Sequence, residues 1–399
     1  MFKRVMVVGT ILGAAFSAVA IGASIPPDPF DDPGFQHFYN LEYDKALAVF
    51  VAQSLKEPDS PDIHNHIAQA ILFRQMFRSG ALGSDLVSSA NAFLKRPKMP
   101  MSAADEAQLQ REVAKAIEIS QARVKQNPKD AAALYSLGVS HGIRANYDFM
   151  EKKWLDALSD ASAARKLHTK ALEINPNMYD ARLIPALDEY VIGSLPWGYK
   201  MLTAVAGFSG DREKGIEGLK AVAEHGYYNR FDADAILAAI YRREKRPADA
   251  IAPLDKMIAR FPRSYILRIE LAEMYCDLGN RTKALGAVNE MDELRRTGAA
   301  GYARLPEALI HSTRGGVLMQ LHDLDAALAE MKLATTPGST TMDAWMAGTA
   351  WVRLGQIYDL KGQRQLAIAA YQKAMEVAPV TDAFEEAKRY VSSKYKEPA

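Results

Sequence analysis

The feature that most constrains this chain is a pattern near its C-terminal end. Trp351, Leu354 and Tyr358 recur at spacings of three and four and so line one face of a helix. Gly362 follows and fits a helix-ending turn. Ala367, Tyr371 and Ala374 then mark the inner face of a second helix, which Pro379 stops. Gly355 and Ala367 are small, so the two helices can approach closely. A unit of this kind cannot bury its apolar faces alone and demands stacked neighbours.

The same register recurs at a spacing of about 34 residues, the tetratricopeptide period. Leu237, Ala238, Tyr241, Ala250, Leu254, Met257 and Pro262 make one copy; Leu271, Ala272, Tyr275, Gly279, Ala284, Val288 and Met291 make the next. Leu134, Leu137 and Gly138 open an earlier copy. Its second helix, with Ala164, His168, Ala171 and Pro176, is expected to be delayed by an insertion. Tyr43, Ala46, Phe50 and Pro58 read as a second helix near the start, and Gly315, Leu318, Ala327, Met331 and Ala334 as a weaker unit. The expected fold class is therefore all-α: a tetratricopeptide-repeat superhelix of antiparallel helix pairs over residues 35–395, with about nine or ten pairs. Gly80, Gly83, Pro97 and Pro100 predict an inserted loop at 79–103. Pro185, Gly193, Pro196, Gly198, Gly207 and Gly210 predict an irregular element at 185–210.

The N-terminus has a different character. Lys3 and Arg4 precede an apolar run from Val5 to Ile21, and Ala18-Val19-Ala20 supplies small residues at signal-peptidase spacing. Residues 1–20 read as a secretory signal peptide cleaved after Ala20 or Ala23, with an uncleaved anchor as the alternative. Residues 21–34 are proline-rich and acidic and predict an extended linker. Export leads to a periplasmic or secreted location. The 49 Lys+Arg against 48 Asp+Glu leave no electrostatic footprint for nucleic acid. The single cysteine, Cys276, excludes an internal disulfide. No segment after the signal is long and apolar enough to span a bilayer.

Gly193-Ser-Leu-Pro196, Leu202 and Gly207-Phe-Ser-Gly210-Asp-Arg212-Glu-Lys-Gly215-Ile-Glu-Gly-Leu219, with Arg260-Phe-Pro262 beyond, carry a resemblance. Residues 184–290 are similar to the tetratricopeptide repeat protein 39 family, which includes the fungal mitochondrial inclusion-clearance protein. That resemblance implies helical repeats and a noncatalytic interaction role. The whole chain is also similar to bacterial exported repeat proteins.

Chemistry-bearing motifs are few. His64 and His66 stand two apart on a helix and so project about 200° apart, which leaves a metal site needing a third ligand such as His37 or Asp62. Cys276 follows the core residue Tyr275 and reads as a small half-buried side chain rather than a nucleophile. The segment 207–212 lacks the Lys-Ser/Thr pair of a phosphate loop, and neither a Gly-x-Ser-x-Gly elbow nor a zincin motif occurs. No metal, cofactor or enzymatic activity is expected.

Binding is then the expectation, on the inward faces of the first helices. The register places Asn65 and Gln69, Tyr135 and Val139, Asp232, Arg242 and Arg243, Ile269 and Glu273, and Val352 and Gln356 there. Partner contact is expected at Asn65, Gln69, Tyr135, Arg242 and Arg243, and at Trp197 and Trp345, which fall outside core positions. No lysine–asparagine set for clamping a C-terminal carboxylate is present. The leading functional expectation is a scaffold or adaptor for a protein or peptide. A carrier for a small apolar ligand, seated near 185–210, and a metal-dependent enzyme are the alternatives.

Overall fold

The structure is a computed structural model and describes residues 27–82, 98–99, 101–194, 210–336, 342–379 and 381–397. Among these are seventeen α-helices, two short 3-10 turns and no strand. The helices stack as antiparallel pairs: α1 (Pro33–Tyr39) with α2 (Tyr43–Ser54), α3 (Pro61–Arg78) with α4 (Ala103–Gln126), and α5 (Ala131–Met150) with α6 (Trp154–Ile174). There follow α7 (Leu183–Gly193) with α8 (Arg212–His225), α9 (Arg230–Arg243) with α10 (Pro247–Arg260), and α11 (Tyr265–Asp277) with α12 (Arg281–Arg296). Last come α13 (Glu307–Gln320) with α14 (Leu324–Ala334) and α15 (Ala344–Leu360) with α16 (Arg364–Val377), and α17 (Asp382–Ser392) closes the stack against α16.

The described residues thus hold eight pairs and a closing helix, against the nine or ten expected from length. Three of the described helices are long. α4, α5 and α6 run 24, 20 and 21 residues. In particular, no inserted loop delays the second helix of the α5–α6 pair: both arms extend, and residues 151–153 join them directly. The expected irregular element at 185–210 is also corrected in part. Residues 183–193 are a regular first helix that pairs with α8, and residues 195–209 lie outside the described chain.

One turn recurs between the helices of a pair. A single residue takes a left-handed φ at Leu41, Lys152, Lys245, Gly279, His322 and Gly362. The amide after it donates to the carbonyl five residues back, as in Asn280 N to Tyr275 O at 2.8 Å and Gln363 N to Tyr358 O at 2.8 Å. This is the bond that satisfies orphan carbonyls at a helix C-terminus. Within several pairs a first-helix glycine admits a bulky second-helix side chain: a Cβ on Gly355 would collide with the Tyr371 ring, and one on Gly138 would collide with the His168 ring. The small residues read from sequence therefore set the distance between paired helices.

The N-terminal linker reading is overturned for residues 27–34. Pro29 opens a 3-10 turn over Pro29–Asp31 and Pro33 opens α1. Proline is well suited to the first helical position, where its missing N–H is not needed. Asp28 and Asp32 cap these starts, accepting from Phe30 N at 3.0 Å and Gly34 N at 2.7 Å. The Asp-Pro repeats are thus cap-and-start signals rather than extended spacer, and Phe30 is wholly buried.

That burial closes the superhelix on itself. Phe30 and Tyr39 share a core with Phe231 and Phe261, about two hundred residues away. Tyr39 stacks on Phe261 with centroids 4.7 Å apart. Further along, Leu41 and Phe77 pack against the core of α11, where Phe77 meets Tyr265 at 6.4 Å. The first pairs therefore occupy the inner face of the central ones.

Candidate partner-binding groove

Filling of the inner face decides which candidate residues remain available. Asn65, Gln69 and Tyr135 converge, together with Asp232, on a cavity of about 30 Å³ beneath α1. That is room for a water-sized occupant, not a peptide. The polar groups of Asn65, Tyr135 and Asp232 are engaged within the chain. Asn65 donates to Ser136 O at 3.0 Å and accepts from Ser140 Oγ at 2.7 Å. The Tyr135 hydroxyl accepts from Asn229 at 3.0 Å, and its ring stacks on His168. The Tyr39 hydroxyl donates to Asp232 at 2.8 Å. Burial nevertheless pushes the Asp232 carboxyl up to about 6, since removal from water penalises the charged form.

Arg242 is likewise spoken for. Its side chain is only 8% exposed and is paired with Glu273 and, at 3.1 Å, with Asp277. Arg243, the next residue of α9, is exposed. Trp197 lies outside the described residues. His64 is held by Glu112 at 2.6 Å and by Pro58 O at 2.9 Å, whereas His66 packs among Phe35, Phe50 and Tyr228. The two rings therefore serve separate surroundings, as their helical spacing requires. Among the described residues no three His, Cys, Asp or Glu side chains group as a metal site. Burial also pushes the Cys276 thiol up to about 12.

The inner face opens again beyond the N-terminal pairs. A groove of about 790 Å³ runs over α11, α13, α15 and α17, with Phe77 and Leu82 on the far wall. Three consecutive first helices build its floor at helical spacing. α11 supplies Ile266, Ile269, Glu270 and Glu273, and α13 supplies Leu309, Ser312 and Thr313. α15 supplies Trp345, Thr349, Val352 and Gln356. α17 adds Glu385, Lys388 and Arg389 at one edge. The repeat register points Ile269, Glu273, Val352 and Gln356 inward, and all four line this groove.

Two details give the groove character. Gln356 donates to Glu386 at 3.0 Å, tying α15 to α17 and fixing the end wall. At the other end, Trp345 packs on Gly80, where a Cβ would come within 2.9 Å of the ring. Its indole N–H is buried and finds no acceptor among the described residues. The Trp345 ring itself is half-buried at this end of the groove. The contributions of α17 and of the α3 end were not legible from sequence. Neither belongs to a repeat position, and only the curvature of the stack brings them to the groove.

A match to a known family falls on one pair of this stack. The tetratricopeptide repeat family description matches residues 348–381, which are α15, α16 and the turns around them. A comparison with curated protein sequences finds no match. Among solved structures, the chain is similar to one in the Cut9–Hcn1 hetero-tetramer of APC/C, at 14% identity and a TM-score of 0.45, covering 89% of this chain and 54% of that one. It is similar to a tetratricopeptide repeat protein from Parabacteroides merdae, at 15% identity and a TM-score of 0.42, covering 71% and 94%. Yeast Tom70 is similar at 15% identity and a TM-score of 0.35, covering 91% and 89%. The chain thus spans about half the length of the first of these. By fold the molecule is an all-α tetratricopeptide-repeat solenoid.

Proposed function

We propose that this chain is a noncatalytic interaction scaffold of the cell envelope that holds a segment of a protein partner in the groove over α11, α13 and α15. The groove carries the reading: an apolar floor, a polar rim and a half-buried tryptophan on the inner face of stacked repeats. Inner solenoid faces are the extended binding surfaces of such folds, and tryptophan is a preferred interface anchor. The resemblance of residues 184–290 to the tetratricopeptide repeat protein 39 family supports a noncatalytic role. Export rests on the first 23 residues. It makes the mature N-terminus Ile21 or Ser24, which N-terminal sequencing of the secreted or periplasmic protein checks.

A second reading has one observation in its favour. The groove volume falls within the range of about 300–1,000 Å³ common for small-molecule pockets, so a small apolar ligand is an alternative cargo. One variant tests the site for either cargo. Thr349→Trp fills the centre of the groove from a half-buried position. The wild-type chain is expected to retain a reproducible partner from envelope fractions, and Thr349→Trp to lose it with its helical melt unchanged. Retention by the variant would remove the groove from the account. Native mass spectrometry of the purified chain distinguishes the cargoes, since a bound lipid adds mass without any partner protein.

A further inference from the structure

The contacts of residues 27–31 have the form of a ligand in a site. Phe30 is wholly buried. Its ring meets Phe231 edge-on at 4.7 Å and Phe261 at 6.1 Å, with the Arg230 guanidinium 4.4 Å above it. Arg230 gives both oxygens of Asp28 a hydrogen bond of 2.6 Å, and Arg260 reaches Asp31 at 2.5 Å. The Tyr227 hydroxyl donates to Pro27 O at 2.7 Å. An aromatic slot is thus flanked by two arginines, one for each acid beside the phenylalanine. Two helices and the loop before them supply these groups, all remote in sequence from the segment they hold.

The segment is also separable from α1. Asp32 has an extended backbone, φ −64° and ψ 130°, between the 3-10 turn and α1. Beyond that joint, α1 keeps its own anchors, Tyr39 on Phe261 and on Asp232. Rotation at Asp32 would release residues 27–31 while α1 stays in place. The ties across the joint are Gln36 Nε2 to Phe30 O at 2.6 Å and the packing of the Phe30 ring on Phe35 at 5.6 Å and Tyr39 at 5.5 Å, two rings that would stay behind with α1 as walls of the slot. The acids face solvent, with side chains 38% exposed at Asp28 and 70% at Asp31, so an exchanging segment could engage the arginines before the phenylalanine enters.

We propose that Arg230, Arg260, Phe231 and Phe261 form a second recognition site, specific for a short Asp-x-Phe-Asp segment, which the chain fills with its own Asp28–Asp31 and which a partner segment of the same chemistry takes by displacing it. This site is separate from the C-terminal groove and does not depend on what that groove binds. The test is a titration of full-length protein with a fluorescein-labelled peptide spanning residues 25–34, read by anisotropy. Phe30→Ala empties the slot, so the variant is expected to bind the peptide about tenfold or more tighter than wild type, a gap of about 1.4 kcal/mol. Adding Arg230→Glu to that variant abolishes binding, as does replacing the peptide's phenylalanine by alanine. No binding to a folded Phe30→Ala protein, or binding that survives Arg230→Glu, would overturn the proposal. Should Phe30→Ala lose its cooperative melt, the doubly substituted Asp28→Ala, Asp31→Ala protein, which keeps the core ring, enters the same titration under the same criteria.

Discussion

Gly355 shows how narrowly single positions set the spacing of this stack. Its missing Cβ is the space taken by the Tyr371 ring. Gly355→Ala therefore forces the pair apart or the ring off its rotamer, a cost of about 1–3 kcal/mol, read as a lower midpoint in urea. The left-handed turn residues give the opposite sign. Lys245 and His322 hold φ values of 57° and 58°, which strain any side chain with a Cβ. Lys245→Gly and His322→Gly are each expected to stabilise by about 0.5–1 kcal/mol, visible as higher melting temperatures. Two buried groups set a pH response. Burial lowers His168 to about 4, so folded protein binds fewer protons than unfolded and stability falls as pH drops from 6.5 towards 4. Burial raises Asp232 from 3.8 to about 6, so across much of the same window folded protein binds more protons and stability rises as pH drops. The two terms oppose each other and largely cancel. Asp232→Asn keeps an acceptor for Tyr39 but removes the buried charge. It should be more stable than wild type by about 3 kcal/mol at pH 8, the worth of some two pKa units. That advantage should disappear by pH 4, which denaturation curves across this range would check.

At the scale of the helix, neighbouring arginines on α9 separate structural from surface roles. Arg242 neutralises Glu273, itself buried between α9 and α15, while Arg243 is exposed. Arg242→Ala takes from the buried carboxylate the nearer of its two arginines, Arg353 standing at 3.8 Å, and is expected to cost about 1–3 kcal/mol. Arg243→Ala should stay within about 0.5 kcal/mol; paired urea titrations decide it. From sequence the two are equivalent groove candidates, because helical register alone cannot say which one a neighbouring helix claims. The pairs α9–α10, α11–α12 and α15–α16 were legible because their apolar spacing and small residues agree, with Pro262 and Pro379 closing the first and last. The first element was not. Prolines preceded by aspartates satisfy both a spacer and a capped helix start, and only the aromatic slot around Phe30 selects the second. The long arms of α5 and α6 escaped for a related reason: extra turns on both helices mimic an inserted loop when only repeat positions are counted.

For the whole molecule, curvature matters more than the number of repeats. Period and register describe each pair and its immediate neighbour, and they carry no record of contacts across some two hundred residues. Yet the contacts of Phe30, Tyr39 and Phe77 with the central pairs fill the N-terminal part of the inner face and leave open the groove over α11, α13 and α15. Asn65, Gln69 and Tyr135 thereby become walls of a small internal cavity, whereas Trp345 becomes the most distinctive side chain of the open groove. The central claim, that this groove is where a partner is held, is tested most directly by site-specific photo-crosslinking in the native envelope. A benzophenone amino acid at Thr349 should give one discrete adduct, which is absent when the same group stands at exposed Leu366 on α16 and is lost with Ile269→Arg, a half-buried position on the groove floor. The same adduct from Leu366, or an adduct from Thr349 that Ile269→Arg leaves unchanged, would contradict it.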